Sequence, residues 1–196
     1  MSKLSPYAHI GEDHLRAIGA IVTNFSGIEW AMDIAILAFY GIPLDRGLVF
    51  TSTFSFPYRL SLMRIIAQGG AIPKKADADA LSSLLTKIEA AYGKRNEIAH
   101  GFWNATKHDK IIRRMAIKSK NGKLKCIDEK VSLGELEETA TNLAEICAAF
   151  VTLTKRLGAE RGYSPETGGK AQSPQKHGNW DDLLSLIASA ALSGPI

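Results

Sequence analysis

Apolar residues recur at helical spacing along most of this chain, so its length can be covered only by helices packed on one another. From about Glu12 to Tyr40, Ile18, Ile21, Val22, Phe25, Met32, Ile36 and Phe39 share one helical side, and Gly41 and Pro43 stop the run. A short helical stretch is expected over Asp45 to Thr51. Pro57 suits the first turn of a helix over 57–68, which carries Leu60, Met63, Ile66 and Ala67 and ends at Gly69-Gly70. A third long helix, 77–100, carries Leu81, Leu84, Leu85, Ile88 and Tyr92, with Gly101 expected just past its end as the C′ residue. Ser132 opens the last long helix, 132–157, and Glu135 three residues on completes a capping box.

Between the third and last helices the period changes. Residues Lys110 to Val131 alternate, and Asn121-Gly122 is the strongest short hairpin signal a sequence can carry. A two-residue turn there pairs Ile117 with Cys126 and Ser119 with Leu124 on an apolar face. It pairs Lys118 with Lys125 and Arg114 with Glu129 on a mostly basic one. The predicted fold is therefore mostly α: an antiparallel helical bundle with one β-hairpin inserted at about 110–130.

The 196 residues exceed one typical domain only slightly, and 45% apolar with 22% charged residues is ordinary globular composition. The bundle domain is expected over 1–157. Gly, Ser, Pro, Lys and Gln then dominate 158–178, a linker composition. Over 179–196, Asn179 caps an amphipathic helix with Trp180, Leu183, Leu184, Ile187 and Ala191 on one face, which must be buried on the bundle, on a second copy or on a partner. Cys126 and Cys147 are too few for a disulfide framework, and both read as core thiols. The longest unbroken apolar run, Ile34 to Ile42, has nine residues against the ~20 of a membrane helix. No apolar leader precedes Glu12 and Asp13, so a cytoplasmic protein without a membrane partner is expected.

Net charge is +4, and its distribution matters more than its size. Nine Lys or Arg residues stand between Lys107 and Lys130 against Asp109, Asp128 and Glu129, a local excess of +6. Lys107, Lys110, Arg114, Lys118, Lys123 and Lys125 are the candidates for gripping a nucleic-acid backbone without sequence preference. A charge run is equally a solvated face.

No phosphate-binding Gly-rich loop, nucleophile elbow or helical His-Glu-x-x-His is present. His9, Glu12, Asp13 and His14 follow no metal-ligand spacing and read as solvated surface, so neither metal nor cofactor is expected.

One segment stands apart: Lys94-Arg95-Asn96-Glu97-Ile98-Ala99-His100-Gly101-Phe102-Trp103. It resembles the HEPN superfamily, whose signature is an Arg, roughly four to six residues, then a His near a helix end. A polar residue directly after the Arg, Ala-His-Gly at the close and an aromatic just beyond strengthen the likeness, which covers roughly residues 12 to 157. It implies a helical bundle and, in members with ribonuclease activity, a site assembled across a homodimer.

Geometry bears on what these residues can do. On a regular helix Arg95 and His100 lie about 140° apart and cannot converge on one atom, whereas Asn96 and His100, at i and i+4, share a face. A composite site therefore needs a helix that breaks before His100, or a second copy. Phe102 and Trp103 are the expected apolar anchors of such a dimer.

Resemblance and chemistry together assign His100 as acid and base, Arg95 as the phosphate stabiliser and Asn96 as the orienter. Metal-free RNA cleavage needs groups to accept and donate protons and a positive charge on the phosphate, and His titrates nearest neutrality. A structural reading competes. Arg95 falls mid-stripe on its helix and Glu29 mid-stripe on the first, which predicts a buried ion pair between them.

Two functions stay open, ahead of a purely structural homodimer. One is a metal-independent endoribonuclease of HEPN type, toxin- or defence-like, with an antitoxin or other protein as a further partner. The other is a catalytically silent HEPN-like module that binds RNA, nucleotide or a protein.

Overall fold

The computed structural model describes residues 10–105, 111–120 and 123–160. Lys107, Lys110, His9, the Asn121-Gly122 turn, and the expected linker and C-terminal helix beyond Glu160 lie outside the described residues. The chain forms α1 (Glu12–Tyr40), α2 (Leu44–Thr51), α3 (Phe56–Gln68) and α4 (Lys75–Ala99). Strands β1 (Phe102–Ala105), β2 (Ile111–Lys120) and β3 (Lys123–Ser132) follow, and α5 (Leu133–Glu160) closes the order. The protein is mostly helical with one small antiparallel sheet, in agreement with the periodicity.

α1 is the central helix and packs against α2, α3, α4 and α5. Ile21, Phe25, Ile28 and Met32 on α1 are fully buried with Met63, Leu81, Leu85, Ile88, Leu136, Leu143 and Phe150. Each such side chain is worth roughly 1.5–3 kcal/mol of transfer free energy. By length and composition α1 is apolar enough to cross a membrane, and 56% of that stretch is buried in the bundle. At its end Gly41 adopts φ 65°, and the N–H groups of Gly41 and Ile42 donate to Ala38 and Leu37. That left-handed turn is the one a glycine makes without penalty.

α4 and α5 run antiparallel. Arg156, near the end of α5, donates to both carboxylate oxygens of Asp77 in the first turn of α4, at 2.7 and 3.0 Å. The capping box forms at the start of α5: Ser132 N–H donates to Glu135 Oε2 at 2.7 Å, and Glu135 N–H to Ser132 Oγ at 3.2 Å.

The sheet order is β1-β2-β3. Its β2–β3 register is the one predicted, with Ile117 opposite Cys126, Ser119 opposite Leu124, Lys118 opposite Lys125 and Arg114 opposite Glu129. β1 is an addition. It is four residues long, too short to show a period, and it places Phe102 opposite Met115 and Trp103 opposite Arg114.

The packing of the hairpin corrects the expectation. Ile112 and Val131, a register pair at the base of the hairpin, are buried, and alternation puts them on the same face as Arg114. Arg114 goes inward with them, while Cys126 on the opposite face is exposed rather than a core thiol. Two aliphatic residues next to the bundle outweigh the apolar face nearer the turn. Cys147 is buried as expected, and burial pushes its thiol up to about 11. His14 also departs from the surface reading: it is buried, and its Nε2 has no hydrogen-bond partner among the described residues.

Candidate functional site

The site lies where α4 ends and β1 begins. α4 runs unbroken through Ala99, and His100 caps it at φ −105° and ψ 5°, its N–H donating to the Asn96 carbonyl at 3.0 Å. The helix does not break before His100, so the wide angular separation from Arg95 stands and one chain does not bring the two together.

Arg95 is half-buried over an aromatic floor. Its guanidinium carbon lies 5.6 Å from the centre of the Phe25 ring. That ring lies against Phe56 and Tyr92, which stack on each other at 4.0 Å. Arg95 Nη1 donates to Asn96 Oδ1 at 3.0 Å, so Asn96 holds the arginine rather than His100. Arg95 Nε is buried without a hydrogen-bond partner among the described residues.

The predicted Glu29–Arg95 ion pair is not formed. Glu29 turns instead to Arg59, whose Nη1 lies 3.9 Å from its carboxylate. The buried pair at this level of the bundle is Arg59–Asp33, with hydrogen bonds of 2.7 Å from Nε and 2.9 Å from Nη2. Burial pushes the Asp33 carboxyl up, against the pull of Arg59. Arg59 Nη2 also donates to the Thr51 carbonyl at 3.2 Å. Asp33 lies one turn beyond Glu29 on α1, inside an apolar run, and that was the available signal: a carboxylate among Met32, Ile34 and Ala35 must find a cation.

His100 is exposed, with no hydrogen bond or ion pair of its side chain among the described residues. What fixes it is the turn that follows. A Cβ on Gly101 would lie 2.8 Å from Arg114 Cγ and 3.0 Å from the Glu97 carbonyl oxygen. Gly101 is thus required by the stem of Arg114 passing beneath it. Gly101 fills this place without a left-handed backbone, which among the described glycines only Gly41 and Gly70 adopt.

Arg114 is 3% exposed and is held by both Glu129 and Glu97. Its Nε donates to Glu129 Oε1 at 2.9 Å, its Nη1 donates to the Glu97 carbonyl at 3.1 Å, and its Nη2 lies 3.6 Å from the Glu97 carboxylate. Arg114 therefore clamps the hairpin to the last turn of α4 and is not presented to a nucleic acid as the sequence suggested. Lys118 opposite Lys125 and Lys120 opposite Lys123 are set by the backbone register.

The two aromatic residues after the motif part ways. Trp103 packs against the core and its indole N–H donates to the Ile98 carbonyl at 3.0 Å, so it secures β1 to the helix end. Phe102 is 60% exposed and lies beside Met115, 41% exposed, on the outer face of the sheet.

A groove of about 210 Å³ between α1 and α5 is lined by Asp13, Arg16 and Glu137 among others, and by none of Arg95, Asn96 and His100. Among the described residues no three His, Cys, Asp or Glu side chains are grouped so as to hold a metal ion. No family model, no curated protein and no solved structure matches this chain.

Proposed function

We propose that this chain is a metal-independent endoribonuclease of HEPN type, toxin- or defence-like, acting as a homodimer. One observation carries the reading: Arg95 is a half-buried guanidinium without a carboxylate partner among the described residues, on the same helix end as an exposed His100. A structural arginine at such depth is normally paired, and Arg59, gripping Asp33, shows what that looks like in this bundle. An uncompensated guanidinium suits an anion that arrives from outside, and a second copy would have to bring its His100 to that anion.

In the proposed reaction the 2′-oxygen of RNA attacks the adjacent phosphorus and the bond to the 5′-oxygen breaks, leaving a 2′,3′-cyclic phosphate. One His100 accepts the 2′ proton and the His100 of the second copy returns a proton to the departing 5′-oxygen. Arg95 neutralises charge developing on the phosphate, held in place by Asn96. Lys107, Lys110, Lys118, Lys123 and Lys125 supply a sequence-independent hold on the backbone.

A second reading, the catalytically silent module binding RNA, nucleotide or a protein, is favoured by a different observation. Within one chain Asn96 is committed to Arg95, and Arg95 and His100 lie on different sides of α4. Incubation of the purified protein with single-stranded RNA in EDTA separates the two. Cyclic-phosphate products that vanish in His100→Ala support the nuclease, and RNA that is bound and left intact supports the silent module.

A further inference from the structure

Among the described residues outside the candidate site, an uncovered apolar stripe runs along α2 and α3. Phe50 and Phe54 are 4.8 Å apart between ring centres and Phe54 and Tyr58 4.7 Å, each edge to face. Leu62 and Ile65 continue the line along α3, since positions 58, 62 and 65 share one side of a helix. Phe50, Tyr58 and Ile65 are each at least half exposed, at 59%, 50% and 59%. The stripe is about 20 Å long, from two ring spacings and a rise of about 1.5 Å per residue from Tyr58 to Ile65. No described element covers it, and a contiguous run of three aromatic and two aliphatic side chains is more than scattered surface apolarity.

We infer that the amphipathic segment 179–196 of the same chain docks on this stripe as an additional helix. The segment lies outside the described residues, and its sequence places Trp180, Leu183, Leu184, Ile187 and Ala191 on one face. From Asn179 to Leu192 a helix measures about 21 Å, the length of the stripe. The tether also starts in the right place. Glu160, the last residue of α5, accepts a hydrogen bond from Lys74 Nζ at 2.9 Å, and Lys74 stands in the turn between α3 and α4. The 18 residues from 161 to 178 have the composition of a Gly- and Ser-rich chain, with a root-mean-square span of about 21–25 Å. That reaches α3 from its nearer end. Another exposed apolar pair, Phe102 and Met115, lies on the sheet at the start of α5, about 42 Å away along that 28-residue helix.

Hydrogen exchange on the full chain tests the docking. Amides between Leu183 and Leu192 are expected to exchange at least tenfold more slowly than an unstructured chain, equally at high and low protein concentration. The Tyr58→Asp, Ile65→Asp double variant is expected to abolish that protection while α4 amides from Leu81 to Ile88 stay protected. If α4 loses protection in that variant, Phe50→Asp alone, at the exposed end of α2, gives the same test. Unprotected 183–192 amides in the parent, or protection that survives the substitutions, overturns the inference. Protection lost on dilution also overturns it, because the helix then sits on a second copy.

Discussion

The guanidinium of Arg59 holds the Asp33 carboxylate by two hydrogen bonds and reaches the Glu29 carboxylate at its edge, and both acids are thereby withheld from Arg95. Removal of Arg95 therefore orphans no carboxylate. Arg95→Ala is expected to fold, losing about 1–2 kcal/mol through its contact with the Phe25 ring, and to lose RNA cleavage. Urea unfolding beside a cleavage assay checks both. Collapse of the fold would mean that Arg95 is a structural residue after all.

Asp33 behaves in the opposite way. Asp33→Ala leaves Arg59 buried without a strong partner and is expected to cost about 3–5 kcal/mol. Denaturant titration reads this directly, and a loss below about 1 kcal/mol would contradict the buried pair.

Gly101 and Arg114 form a second coupled pair, because the arginine stem occupies the space of a Cβ. Gly101→Ala is expected to destabilise by about 1–3 kcal/mol and to slow cleavage by displacing His100. Arg114→Ala opens that space, so in the double variant the cost of Gly101→Ala is expected to shrink. Additive losses in the four-corner cycle would show that the two residues are independent.

Much of this was legible before the structure. The helix limits, the hairpin register and the Ser132–Glu135 box follow from period, breakers and turn chemistry, all of which are local. What failed was long-range. Glu29 and Asp33 share one side of α1, and only the placement of α3 decides that Arg59 takes them both. Arg114 was assigned to a basic face from its neighbours in the strand. The burial of Ile112 and Val131 at the hairpin base, a tertiary fact, reversed which face packs. In the site, the role of Gly101 depends on where Arg114 crosses the helix end, which no spacing records.

The capping box has a pH signature. The Ser132 backbone N–H, with its hydroxyl, holds the Glu135 carboxyl below its ordinary value of 4.5. A carboxyl lowered in the folded state stabilises above its unfolded pKa and loses that contribution as pH falls through the folded one. Glu135→Ala is expected to cost about 0.5–1 kcal/mol at pH 7, at the low end because the group is exposed. The difference from the parent should narrow below pH 4.5, measured by urea unfolding at each pH. A gap that stays constant into acid would remove the carboxylate from the cap.

Assembly is tested at Phe102. Its side chain stands outside the fold, so Phe102→Asp is expected to leave thermal stability nearly unchanged while converting a micromolar dimer to monomer and abolishing cleavage. Sedimentation velocity reads the first effect. A parent that is already monomeric at that concentration contradicts the composite site.

The most direct test is the fate of single-stranded RNA with the parent protein and with His100→Ala, both in EDTA. His100 is exposed, so its replacement is expected to leave the fold intact and any RNA binding unchanged. The expected result is fragments ending in 2′,3′-cyclic phosphate from the parent, none from His100→Ala, and intact DNA from both, because DNA lacks the attacking hydroxyl. RNA that survives prolonged incubation with a folded, dimeric parent, or that is cut equally by His100→Ala, would contradict the assignment.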